Sequence, residues 1–298
     1  MPVTVPVPVD AALRDNARLR DLPFPIMPAS TSSAISGKVA GTAAFSKFME
    51  VLQIVADADE PMTIAGLTRA TGFPRPTVYR IAAALVAEGM LQECPRTGTL
   101  TLGTRLMQLA SRSWSRSDLR LAAAEALKAL RDITGETVHL AVPNDTSMIY
   151  IEKLESTSAV RMASRIGTSV SMHSTAVGKA YLSALAPAAR TALIARLAFT
   201  RFMPDTIVTP EALTAQVELF TRQGWSVDAE ENEAGIYCFG APVLDPQGQP
   251  VAAVSVSTLR FRQKPDPESA YVKPLLEACR EISRRVAESP ALAASRNM

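Results

Sequence analysis

Only three of the 298 residues are cysteine and only two are histidine. Cys94, Cys238 and Cys279 are odd in number and far apart, which argues against a disulfide framework and fits a reducing, cytoplasmic setting. His139 and His173 have no close cysteine pair to join them, so no metal centre or cofactor is expected. No apolar run approaches the roughly 18 residues that span a bilayer, so no membrane partner is expected. The first residues lack the basic start and apolar core of a secretion signal. The chain has no Gly-x-Ser-x-Gly elbow, no Gly-x-Gly-x-x-Gly fingerprint and no His-Glu-x-x-His motif. With these missing, no catalytic residue is assigned. Net charge is scarce as well, at +2 over the whole chain.

What remains is the composition of a globular protein, 47% hydrophobic and 20% charged, long enough for two domains. Residues 1–40 are rich in Pro and Ser and read as a flexible tail.

Residues 62–102 are the most informative stretch. Ile64, Leu67 and Ala70 mark a short helix, and Thr71-Gly72-Phe73 a tight turn. A second helix follows, with Val78, Ile81, Ala82 and Leu85 on one face. Gly89 stops it, and a hairpin with Thr97-Gly98 at its tip closes the unit. Helix, turn, helix, hairpin is the plan of a winged helix-turn-helix, which sets its second helix in the DNA major groove. The face away from the core presents Arg75, Thr77, Tyr79, Arg80 and Ala83. Arg grips guanine edges bidentately, and hydroxyls and Arg both hold phosphates. An ordinary helical hairpin inside an α/β domain would show the same spacing.

Charge favours the DNA-binding reading, although a basic run alone is more often a solvated face. From Pro61 to Arg116 the bases are Arg69, Arg75, Arg80, Arg96, Arg105, Arg112 and Arg116, against Glu88 and Glu93. Seven minus two leaves +5 in a chain whose total is +2. Positive charge is concentrated where phosphate contact would need it, with Arg69 and Arg96 flanking the second helix.

Further on, Leu102, Leu106, Leu109, Ala110 and Trp114 fall at helical spacing, and Asp118–Thr134 reads as another helix. Strand-like runs come at 137–142, 148–154, 159–164, 225–229, 235–243 and 251–258. Helices are expected at 175–185, 188–197, 210–223 and 267–287. The sum is an α+β domain, helices on an antiparallel sheet.

His173-Ser174-Thr175-Ala176-Val177-Gly178-Lys179 leads into a helix that Ser174 or Thr175 can cap. Free amides in a first helical turn attract anions. A phosphate loop is disfavoured, because His173 stands where its first Gly belongs and Ala180 follows Lys179. Ser255 and Ser257 share one side of a strand, and spacing alone favours the solvent side. Cys238 alone reads as a small core hydrophobe. The acidic run Glu230, Glu231 and Glu233 reads as a solvated turn.

The segment from Gly41 to Gln92 resembles the DNA-binding domain of IclR-type bacterial regulators. HSTAVGKAYL at 173–182, GWSVDAEENEAGIYCFGAPV at 224–243 and GQPVAAVSVS at 248–257 resemble the effector domain of the same family, in the same order. The resemblance covers roughly Gly41 to Val286 and implies a GAF-like fold for the second domain. It implies domains at 41–104 (winged helix-turn-helix), 105–116 (linker helix, crossing its partner in a dimer) and 117–298 (effector binding and oligomerisation). It also implies an effector pocket with Asp228, Cys238, Ser255 and Ser257, the amides of Ala176 and Val177, and apolar walls at Met162 and Val170. The expected protein is a homodimer or tetramer on a near-palindromic double-stranded operator of a catabolic operon, and its expected small effector is a carboxylate. The rival readings are a DNA-binding regulator with no ligand and an enzyme acting on a small acid.

Overall fold

The computed structural model describes residues 42–115, 118–158 and 162–288, without the side chains of 111–115 and 118. The tail, the first half of the 159–164 strand and the Trp114 side chain lie outside the described residues.

The N-terminal part begins with α1 (Ala43–Asp57), α2 (Ile64–Thr71) and α3 (Arg75–Ala87). Strands β1 (Leu91–Glu93) and β2 (Leu100–Leu102) follow. Thr63 caps α2, its hydroxyl accepting from the Gly66 amide at 3.1 Å. Gly72 then turns the chain at φ +67°, a conformation that Gly adopts without steric cost. Pro74 and Pro76 open α3, where a missing amide hydrogen costs nothing. Val51, Leu52, Val55, Leu67, Val78, Ile81, Ala82, Leu85, Leu91 and Leu100 form the core. The period of α3 is thus the one read from sequence. Ala70 is exposed and takes no part. The hairpin is held to the helices by Met62, whose backbone exchanges two hydrogen bonds with Leu100 at 3.0 and 2.7 Å. Leu102 ends the second wing strand rather than starting a helix, and α4 (Thr104–Ser115) begins just beyond it.

From α5 (Asp118–Thr134) onward the chain wraps a six-stranded sheet. Its strands are β3 (Thr137–Asn144), β4 (Ser147–Leu154), β5 (Ser169–Ser171), β6 (Ser226–Ala229), β7 (Ile236–Leu244) and β8 (Pro250–Leu259). They lie in the order β5-β4-β3-β8-β7-β6, every neighbour antiparallel. The helices between are α6 (Ala176–Ala184), α7 (Pro187–Ile194) and α8 (Pro210–Gln223). A π turn at Glu268–Val272 leads into α9 (Lys273–Glu288). Met162 to Ser164 form no strand; the edge strand is β5 instead.

The sheet is covered on both faces. Val138, Leu140, Phe239, Ala241, Val254 and Val256 pack against α5 and α9. Ala141, Met148 and Ala253 pack against Val177 and Ala180 of α6 and Leu213 and Val217 of α8. Alternation along β8 therefore sends Ser255 and Ser257 not to solvent but into the second interface, where both are 2% exposed. The solvent-face reading of these serines is overturned by the helices that cover them.

Candidate functional site

The outer face of α3 is as the spacing requires. Arg75, Tyr79, Arg80 and Ala83 are exposed, and Thr77 is half-buried. Arg69 at the end of α2 and Arg96 in the wing loop are exposed too. Arg105 is drawn out of this basic set. It forms an ion pair with Glu88 and donates to the Glu88 carbonyl at 3.0 Å, fastening the start of α4 to the end of α3.

The second site is the polar patch between the sheet and α6. Thr175 caps α6, accepting from Gly178 N at 3.3 Å and donating to Ser171 O at 2.6 Å. Ser174 is not the cap; it donates to Asn232 Oδ1 at 3.2 Å. The amides of Ala176 and Val177 are among the first-turn donors a helix cannot satisfy itself, and both residues are buried. Gly178 has a packing reason, since a Cβ there would stand 2.3 Å from Met172 Cα. The Gly-Lys pair is therefore a close helix contact and not a phosphate cradle.

Register gathers the expected side chains onto one face. Asp228 pairs with Cys238, Cys238 with Ser257, and Ser255 with His139. Val170 lies in β5 among the apolar residues under α6. Met162 is half-buried, and its carbonyl accepts from Lys153 Nζ at 2.8 Å. Asp228 Oδ1 accepts from the Glu231 amide at 2.9 Å, so this acid also ties the β6–β7 turn. Burial pushes its carboxyl up to about 7, with Lys179 pulling the other way. Burial, then Asp228, pushes the Cys238 thiol well above its ordinary range, which leaves no thiolate for nucleophilic work. His173 does not serve it either: its Nε2 bonds the Thr200 carbonyl at 2.9 Å, and its ring packs against Phe199 and Phe202.

Two features were not read from the sequence. Glu231 is no solvated turn residue: it is 4% exposed and ion-paired with Lys179, which is 0% exposed and lies 5.7 Å from the Phe220 ring centroid. Of its neighbours, Glu230 pairs with Arg260, while Glu233 stays exposed. The other feature is His139. It is buried on the polar face, stacked on Tyr150 at 4.5 Å, with Nε2 2.8 Å from Ser164 Oγ. The sequence marks it only as one of two histidines, lying in the strand-like run 137–142.

Residues 111–284 match the family model described as bacterial transcriptional regulator IclR C-terminal, and residues 45–95 match the IclR helix-turn-helix domain. The chain belongs to the IclR family. It is 30% identical over 214 residues to the HTH-type transcriptional regulator XynR of Escherichia coli K12, covering 72% of this chain and 85% of that protein. The crystal structure of Thermotoga maritima IclR is similar at 28% identity and a TM-score of 0.68, over 81% of this chain and 98% of that one. An IclR homologue from Microbacterium hydrocarbonoxydans, complexed with 4-hydroxybenzoate, shares the fold at 24% identity and a TM-score of 0.71, over 83% and 100% of the chains. The protein is a DNA-binding transcriptional regulator and not an enzyme. Its fold is a helix-turn-helix unit followed by an α+β, GAF-like domain. Among the described residues no helix is long and apolar enough to cross a membrane.

Proposed function

We propose that this regulator is ligand-responsive, holding a small carboxylate between the start of α6 and the polar face of the sheet. The observation that carries the reading is the α6 first turn, buried directly over Gly240 and one strand from Ser255. Its free amides favour an anion. Ser255 and Ser257 supply hydroxyls, Asp228 and Cys238 complete the polar wall, and Met162 and Val170 cover an apolar body. The fold is one that is complexed with 4-hydroxybenzoate, itself a carboxylate, in the Microbacterium protein.

In this reading Arg75, Thr77, Tyr79 and Arg80 read the operator, while Arg69 and Arg96 hold its phosphates. The reading domain ends at 104, the linker helix spans 105–116 and the effector domain begins at 117. The protein works in the cytoplasm as a dimer or tetramer on a near-palindromic operator of a catabolic operon. Met107 and Leu109 on α4 are exposed apolar side chains that suit such an assembly. The effector shifts the two reading helices only through different affinity for their two arrangements.

Selection of bound DNA from a random library, followed by calorimetry with small carboxylates and DNA-release assays, tests this. A near-palindrome released by an acid, with Ser255→Ala plus Ser257→Ala abolishing release, is the expected result. Release by that acid that persists in the double variant sinks the placement of the pocket.

A further inference from the structure

We infer that His139 is a specificity-determining contact of this effector site, selecting a small carboxylate that bears a hydroxyl or oxo oxygen over its unoxygenated analogue. The inference rests on the carboxylate reading above and adds to it a residue and a substrate class.

Four residues stand in a row across the sheet. The Ala176 carbonyl presses on Gly240, Gly240 pairs with Ser255, and Ser255 pairs with His139. Neighbouring strands lie about 4.8 Å apart, so a group seated at the α6 amides is within a small molecule's length of the imidazole.

The imidazole is aimed and loosely bonded at once. Its Nε2 end is held by Ser164 Oγ at 2.8 Å, and its plane by the stack on Tyr150. Lys153 Nζ secures the segment carrying Ser164, donating to Met162 O at 2.8 Å and Ser164 O at 2.6 Å. Among the described residues the Nδ1 end meets the Ser255 and Ser257 hydroxyls, each at 3.5 Å. Good hydrogen bonds of this kind are about 2.7–3.0 Å, so a buried nitrogen faces two buried hydroxyls without a close bond to either. A ligand oxygen beside Nδ1 would give the imidazole the close bond that the serines leave unmade.

The polarity of the site fits this division of labour. Burial, then Lys153, lowers the His139 pKa to about 3, so the ring is neutral near pH 7. It therefore reads an oxygen and brings no charge to a carboxylate, which is left to the helix amides. A hydroxyl donates to a bare nitrogen and an oxo group accepts from the N–H tautomer, the serines adjusting in either case.

Matched acids test this by calorimetry on the full-length protein: propionate against lactate and pyruvate, and benzoate against 4-hydroxybenzoate. At least one oxygenated acid should bind about tenfold or more tighter than its parent, because a site built to bond an oxygen penalises its loss. His139→Phe, which keeps a ring on Tyr150, should erase most of that advantage, and His139→Gln should restore part of it. Binding whose selectivity survives His139→Phe overturns the inference and leaves the carboxylate reading standing. Absence of binding by every acid overturns both. Should His139→Phe fail to fold, nitrogen NMR of the two wild-type imidazoles, assigned with His173→Gln, decides. The His139 resonances should move on saturation with the preferred acid, and stationary ones overturn the inference.

Discussion

Gly240 lies so close beneath Ala176 that a Cβ on it would stand 2.5 Å from the Ala176 carbonyl oxygen. The same oxygen accepts from Ser226 Oγ at 2.7 Å. Strand and helix thus meet backbone to backbone at the point where the first-turn amides of α6 begin. Gly240→Ala must push α6 off the sheet, an overpacking cost of about 1–3 kcal/mol. Thermal unfolding should show a drop of several degrees, with weakened carboxylate binding. An unchanged melting temperature contradicts the close contact.

Arg75 and Arg80 project from the outer face of α3. Arg→Ala at either position should cost operator affinity about 1–3 kcal/mol, and a base-reading position should lose discrimination there. Log affinity of the wild type should fall steeply with log salt. A folded double variant that still binds its selected operator as tightly as wild type refutes the assignment of the reading helix.

Lys179 and Glu231 form a buried pair linking α6 to the β6–β7 turn. Lys179→Met leaves an uncompensated buried acid and should cost about 3–5 kcal/mol. Adding Glu231→Leu should recover much of the loss, since an apolar pair of similar volume replaces both charges. Chemical denaturation of the single and double variants measures this, and equal stabilities would show that the pair is not coupled.

Asp228 gives a pH signature. Burial raises its folded pKa to about 7, well above that of the unfolded chain. Between about pH 4 and pH 7 the folded protein keeps a proton that the unfolded chain has lost. Its contribution therefore falls as pH rises through that window, by on the order of a few kcal/mol. Asp228→Asn preserves an acceptor for the Glu231 amide and removes the titration. The variant should be more stable than wild type at pH 8, with a flatter profile from pH 4 to 7. Parallel profiles would mean that the native carboxyl titrates normally.

The acidic run shows where reading from sequence stops. Glu230, Glu231 and Glu233 look alike as letters, and an acidic run is usually solvated. Their fates diverge because the partner of Glu231 lies 52 residues away on α6, and that of Glu230 lies 30 residues away at Arg260. His139 is unmarked as a pocket residue in the sequence for the same reason. A lone histidine on a strand has no local mark, and its neighbours Ser164, Ser255 and Ser257 are brought to it only by strand pairing and the loop before β5.

The sequence by itself determined what depends on near neighbours. The α3 period, the Gly72 turn and the wing hairpin are set by steric and hydrogen-bond preferences within a few residues, and all three are present where the spacing puts them, while of the two cap candidates before α6 the structure uses Thr175. The family motifs were legible for the same reason, as short runs in order. Only the tertiary structure decided which polar residues are buried. Alternation divides β8 into two faces but does not say which face a helix will cover. Once α6 closes over that face of β8, the Ser255 and Ser257 hydroxyls lose water and must find partners elsewhere, a desolvation that the strand pattern alone does not show.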